Sequence, residues 1–185
     1  MALHTVLIML SLLPMLEAQN PEHANITIGE PITNETLGWL VDKWFLIAVA
    51  VRNPELQHII QEKQTQYFYL TLNLMRDKML FQEYFTTGGQ CENDTNYLEF
   101  QRENGALSLH VQGEESFAHL IAMRKHGAFM VASLLKDEKK RVLVLYAKEP
   151  NITPELREVF QKAVKHVGMD ESEIIFVDWK KDKCG

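Results

Sequence analysis

Few residues in this 185-residue chain carry chemistry, and their spacing assembles no catalytic centre. The histidines, among them His58, His110, His119, His126 and His166, form no HExxH pair and no tight metal spacing. There is no Gly-x-Ser-x-Gly elbow and no phosphate-binding loop. What does stand out is one acid in an oily setting. In segment 78–87 (KMLFQEYFTT), Met79, Phe81, Glu83 and Phe85 alternate with Leu80, Gln82 and Tyr84. A strand here puts a single carboxylate on an otherwise apolar face. Leu107, Leu109 and Val111 share one face of segment 106–111, and Val142, Val144 and Tyr146 share one of segment 141–147. Brought together, these faces make an apolar pocket with one acid and one phenol, which suits reversible binding. The competing reading turns Glu83 to solvent or a strand end and leaves the apolar residues as ordinary core.

The elements that must position these residues are short. Apolar or aromatic runs recur at 43–52, 63–72, 78–87, 97–102, 106–111, 117–124, 128–135 and 141–147. Gly88-Gly89 and Asn104-Gly105 punctuate them, the latter a hairpin signal. Eight such runs with short connections indicate an all-β sandwich or barrel. Segment 153–166 (TPELREVFQKAVKH) differs. Leu156, Val159, Phe160, Ala163, Val164 and Val167 fall at steps of three and four, the stripe of an amphipathic helix. Thr153 suits its cap, Pro154 its first turn and Gly168 its end. Segment 173–178 reads as a short final strand. The expectation is eight antiparallel strands followed by one C-terminal helix packed on their outside. Closed into a barrel, eight strands enclose room for one small ligand.

Composition narrows the setting. Hydrophobic residues are 46% and charged residues 24%, ordinary for a single globular domain. A net charge of −6 argues against nucleic acid as a partner, and no apolar run is long enough to span a bilayer as a helix. Residues 1–18 (MALHTVLIMLSLLPMLEA) have the length and the small final residue of a secretory signal peptide, leaving one domain over 19–185. Behind such a leader, the triplets at Asn25, Asn34, Asn93 and Asn151 are N-glycosylation candidates, with Pro154 weakening the last. Cys91 and Cys184 are expected to pair, since the secretory route is oxidising.

Several blocks together give the chain a family likeness: the leader with its SLLPMLEAQ end, 31–36 (PITNET), 42–45 (DKWF), 101–105 (QRENG), 117–120 (FAHL), 146–150 (YAKEP) and 178–184 (DWKKDKC). In these blocks the sequence resembles secreted plasma glycoproteins of the lipocalin family over essentially its whole length. The resemblance implies an eight-stranded up-and-down lipocalin barrel with a flanking helix. It also implies a monomeric extracellular plasma protein that carries small lipophilic molecules, amines and steroid-like compounds among them, without a cofactor or metal. An acute-phase, immune-modulating role comes from the resemblance alone. In lipocalins a Gly-x-Trp motif opens the first strand and its Trp packs at the closed end. Here Trp44 matches, while Asp42 stands for the glycine, so a less stable barrel floor is expected.

The pocket residues carried over by the resemblance are Phe68, Glu83, Leu107 and Tyr146, beside Phe81 from the alternation. Leu109 replaces an arginine common in the family, Ser116 a histidine, Val144 a serine, Ser133 a phenylalanine and Leu56 a tyrosine. The net change removes positive charge and keeps the acid, so neutral and basic ligands are expected to be preferred. His23 and His166 stand where many relatives have a second cysteine pair, too few ligands for a closed metal site. Lipocalins that act as isomerases use a free barrel cysteine, which pairing of Cys91 and Cys184 removes, so no enzyme is expected. The alternative is a secreted interaction glycoprotein whose pocket is vestigial.

Overall fold

The structure is a computed structural model, and it describes residues 27–73, 78–111, 114–134 and 136–185. The signal-peptide segment, Asn25 and His23 lie outside the described residues. Eight strands run in sequence order: β1 (Lys43–Val51), β2 (Lys63–Asn73), β3 (Lys78–Thr87), β4 (Gln90–Gln101), β5 (Ala106–Val111), β6 (Glu114–Met123), β7 (Ala128–Ser133) and β8 (Val142–Ala147). Each pairs antiparallel with the next. β8 returns to pair with β1, and β1 closes the ring onto β2 through Lys43, Trp44 and Phe45 opposite Tyr69, Phe68 and Tyr67. This is the closed eight-stranded barrel expected from the strand count, with its edges removed by closure. Beyond its short contact with β2, β1 takes on a ninth strand, β9 (Ile174–Phe176).

The nearly unbroken apolar run of β1 follows from what covers it on each side. Its inner face meets the barrel interior. The outer face of β1, β6, β7 and β8 carries Ala48, Ala50, Ile121, Met123, Ala128, Ala132, Leu143, Leu145 and Ala147, all buried. The helix expected near the C-terminus, Pro154–His166, lies on this face and buries Leu156, Phe160, Ala163 and Val164 against it. The alanines keep the sheet surface low, which lets the helix approach closely. Thr153 caps the helix, its Oγ1 accepting from the Leu156 amide at 3.2 Å.

Two further helices were not anticipated. We label them α1 (Asn34–Leu40) and α2 (Pro54–Glu62), with the C-terminal helix as α3. Both are short and lack a long apolar period. Each is nucleated by its cap: Thr33 Oγ1 accepts from the Thr36 amide, and Asn53 Oδ1 accepts from the amides of Glu55 and Leu56. α1 seals one end of the barrel with Leu37 and Leu40. α2 buries no residue fully, and sets Leu56 and Ile60 against Val49, Val51, Val142 and Val144 at the opposite end.

β4 begins at Gln90, seven residues before the apolar run that marked it in the sequence. Its first half (QCENDTN) is almost wholly exposed, so hydrophobic patterning cannot reveal it. The turn reveals it instead. Gly88 and Gly89 both have positive φ (58° and 76°), the two-residue hairpin geometry that continues a ladder into the next strand. Gly105, at φ 67°, is held more tightly, since a Cβ there would meet the Glu30 carbonyl oxygen at 2.3 Å.

The C-terminal segment is tied across the barrel wall. Cys91 and Cys184 form a disulfide spanning 93 residues. Beside it Thr65 and Thr86, both fully buried, share hydrogen bonds with Asp182, and the Lys183 amide donates to Thr86 Oγ1 at 2.9 Å. At the other end of this segment the Trp179 indole donates to the Leu46 carbonyl at 3.0 Å.

Candidate functional site

The barrel floor is built on Trp44. It is fully buried and donates from Nε1 to the Leu40 carbonyl at 2.8 Å, which joins α1 to β1. Its ring meets Trp39 and Phe129 edge-on at 5.1 and 4.7 Å. Asp42, in the place of the family's glycine, is tied to both neighbours of the floor. Its Oδ1 accepts from the Lys43 amide at 2.8 Å, and its Oδ2 pairs with Lys148 at 3.0 Å. Partial burial works against the Asp42 charge, but the Lys148 and Lys43 hydrogen bonds outweigh it and hold the carboxyl below its ordinary range. Lys148 also lies over the Trp39 and Trp44 rings.

Above this floor is a cavity of about 210 Å³. Five residues expected in the pocket line it: Phe68, Phe81, Leu107, Leu109 and Tyr146. They come from four strands, with Leu107 and Leu109 both on β5, and the alternation of each strand turns them to the same inner face. Phe68 is the hub, with ring centroids 4.6 Å from Phe81 and 4.9 Å from Tyr146. Phe129, Leu98, Phe100 and Ala118 complete the wall without having been singled out in the sequence. Phe129 was legible as part of an apolar run, but only the register of β7 on β8 sets it opposite Tyr146, with the rings 5.1 Å apart. Ser116 and Tyr146 are the polar side chains on this wall.

Glu83 and Val144, expected on the same wall, are placed beside the cavity. Val144 turns to the cluster under α2, where Leu56 and Ile60 pack. Glu83 is 7% exposed and lies one inward step nearer the mouth than Phe81. It is paired across the sheet with Phe68 and accepts a hydrogen bond from Gln66 Nε2. Burial pushes the Tyr146 phenol well above its ordinary value, and the Glu83 carboxylate adds to that shift. Tyr146 therefore stays a neutral donor at physiological pH. Gln66 was not singled out in the sequence. The available signal was its position two residues before Phe68, a polar side chain on β2 aligned with an apolar stripe.

A larger groove of about 500 Å³ lies outside the barrel, between residues 30–36 and the end of β6. Its wall mixes Glu30, Glu35, Arg124, Lys125 and His126, and Arg124 is bonded to Glu35 at 2.7 Å and to Thr36 at 3.2 Å. Paired charge offers little to an apolar ligand, so the smaller lumen is the better candidate site.

Of the glycosylation candidates, Asn34, Asn93 and Asn151 are exposed. Asn34 opens α1 and accepts from Arg102 Nη1. Among the described residues no His, Cys, Asp and Glu group is suited to a metal, and no helix is long and apolar enough to cross a membrane. His166 is the only member of the His23 and His166 pair within the described residues.

A closed antiparallel barrel with a Trp-sealed floor, an apolar lumen and a helix on its flank defines a ligand-binding barrel protein. The sequence profile of the Lipocalin / cytosolic fatty-acid binding protein family matches residues 41–181, and the chain belongs to the lipocalin family. It is 70% identical to alpha-1-acid glycoprotein 8 of Mus caroli and 69% identical to alpha-1-acid glycoprotein 1 of Mus musculus. Each match covers all of this chain and 89% of the relative. The rat alpha-1-acid glycoprotein is 59% identical over the same share of its length. A solved structure described as "The Siderocalin Ex-FABP functions through dual ligand specificities" superposes with a TM-score of 0.60 at 11% identity, covering 75% of this chain and 93% of that one. That likeness concerns the fold. Together these place the chain as a ligand-binding lipocalin similar to the rodent alpha-1-acid glycoproteins.

Proposed function

We propose that the protein is secreted through its leader at 1–18, circulates as a plasma glycoprotein, and reversibly carries small lipophilic molecules in the barrel without acting on them chemically. The observation that carries this reading is the 210 Å³ lumen, walled by Phe68, Phe81, Leu107, Leu109 and Tyr146, with Glu83 as the acid beside it. Its volume exceeds the roughly 150 Å³ that holds a benzene-sized guest, and is below the roughly 300 Å³ where drug-sized pockets begin. Compact guests of one or two rings suit it as it stands. Larger, steroid-like guests exceed it. A guest burying about 350 Å² of apolar surface gains roughly 9 kcal/mol before ordering costs are subtracted, enough for micromolar binding when those costs are small.

Charge sets the preference within that class. Leu109 brings no cation to the lumen, and Glu83 is held by a neutral amide rather than by a salt bridge. An ammonium group entering the lumen meets a carboxylate that no cation among the described residues pairs, whereas a carboxylate guest meets repulsion. Basic and neutral lipophiles are therefore favoured over acids. The test is the affinity of a matched amine and carboxylate for the wild type and for Glu83→Gln. The expected result is a preference for the amine that collapses in the variant; equal preference in both proteins would contradict it. An acute-phase, immune-modulating role is a family-level expectation that no residue of the site explains. The small lumen favours a second reading, an interaction glycoprotein with a vestigial pocket. Failure of amines and steroids to displace a fluorescent apolar probe would support that reading.

A further inference from the structure

The outer wall of the barrel holds an aromatic row that the lumen does not use. Phe45 on β1 pairs with Tyr67 on β2, Tyr67 with Tyr84 on β3, and Tyr84 with Asn93 on β4. These residues alternate with the inward set, so all four share the outer face. The adjacent row is Lys43, Tyr69, Gln82 and Thr95. Tyr67 and Tyr84 stack at 5.2 Å with planes 18° apart, and Tyr69 meets both edge-on at 6.1 and 6.2 Å. Lys43 Nζ lies 4.2 Å from the Tyr67 centroid on the side away from Asn93. Tyr69 is 39% exposed and Tyr84 is half-buried. The stack thus ends in an open aromatic surface, and the next residue in the row is an exposed asparagine within the triplet Asn93-Asp94-Thr95.

That juxtaposition says what covers the surface. Residues directly opposite on antiparallel strands stand about 4.5–5.5 Å apart, so a sugar on Asn93 begins within one ring width of Tyr84. The C–H face of a pyranose is weakly positive and the face of a phenol ring is negative, so the two attract as they exclude water. The Asn93 side chain makes no hydrogen bond to another described residue, which leaves its amide available. Two residues away, Cys91 fixes the start of β4 to Cys184, so the anchor is held in place relative to the rings. We propose that the first sugars of an N-glycan on Asn93 lie against Tyr84 and Tyr69, making the outer aromatic row a seat for the protein's own glycan. This rests on the secretory reading above.

The test uses the full chain secreted from mammalian cells, as wild type, Asn93→Gln, Tyr84→Thr and the double variant. Glycopeptide mass spectrometry should find Asn93 occupied. With the glycan trimmed to its first sugar, the wild type should melt about 2–4 °C above Asn93→Gln, the size of one aromatic contact in a chain of this length. Tyr84→Thr should erase that difference. Nuclear Overhauser contacts between the first sugar and the Tyr84 or Tyr69 ring in the wild type give a second readout, independent of the variants' folding. An unmodified Asn93 in secreted protein would overturn the proposal while leaving the secretory reading intact; absence of secretion would overturn both. An equal glycan effect in the Tyr84→Thr background without ring contacts, or a second copy covering the row in solution, would also overturn it.

Discussion

At the scale of single residues, the binding reading turns on two positions with opposite histories in the sequence. Glu83 was conspicuous as a lone acid in an apolar alternation, and the structure buries it against Gln66. Hydrogen bonds to charged groups contribute about 1.5–3 kcal/mol, so Glu83→Gln should weaken an ammonium ligand roughly 10- to 100-fold. Calorimetric titration against a neutral isostere, whose affinity should barely change, checks this. Leu109 was notable for what it lacks. Leu109→Arg places a cation at the cavity wall and should raise the affinity of a carboxylate ligand relative to its amine counterpart, measurable by competition with one fluorescent probe. Gln66 and Phe129 were harder to find. A partner to Glu83 two residues from Phe68, and a ring set opposite Tyr146 across β7 and β8, depend on the register in which strands pair. A single chain read in order does not supply those pairings.

At the scale of elements, the strands of the pocket were legible because their two faces differ, and α3 because its apolar stripe runs through four turns. The exposed half of β4 and the two cap-nucleated helices were not, since their sequences bury little. α2 shows how such an element still matters. Leu56 and Ile60 are its main packing contacts, so the pair Leu56→Ala with Ile60→Ala should loosen it at little expense to the barrel. Stopped-flow displacement should then show faster ligand release, with the melting temperature within a few degrees of wild type. A second element-level device joins the end of β1 to the turn before β9. Arg52 grips Glu173 through two hydrogen bonds, of 2.7 and 3.0 Å. These hydrogen bonds outweigh partial burial and lower the Glu173 pKa below its ordinary value. A depressed folded-state pKa stabilises the fold above the unfolded value, near 4.3, and that contribution is lost as pH falls through the lower folded value. Urea midpoints of wild type and Glu173→Gln should therefore differ at pH 7 and converge as the pH falls below the ordinary glutamate range.

At the scale of the whole molecule, closure and cross-linking divide the work. The barrel buries its edges by pairing β8 with β1 and β1 with β2, while the disulfide ties the C-terminal segment back to β4. In the chain-entropy account a loop of 93 residues is worth about 4–5 kcal/mol. Reduction, or Cys91→Ser with Cys184→Ser, should then lower the melting temperature by roughly 10–20 °C. The pairing could be read from the chain having two cysteines and from the expectation of secretion; the hydrogen-bonded threonines beside it could not, because Thr65 and Thr86 meet only when β2 and β3 are in register. What the molecule does depends on the lumen being open to a guest. Ala118 lines that lumen and is small, so Ala118→Phe fills it without touching Glu83 or the floor at Trp44. The most direct measurement is calorimetric binding of a compact aromatic amine to wild type and Ala118→Phe, with circular dichroism confirming that the barrel is kept. Binding lost at least tenfold in the filled variant is the expected result; undiminished affinity in a folded Ala118→Phe would place the ligand elsewhere and contradict the account.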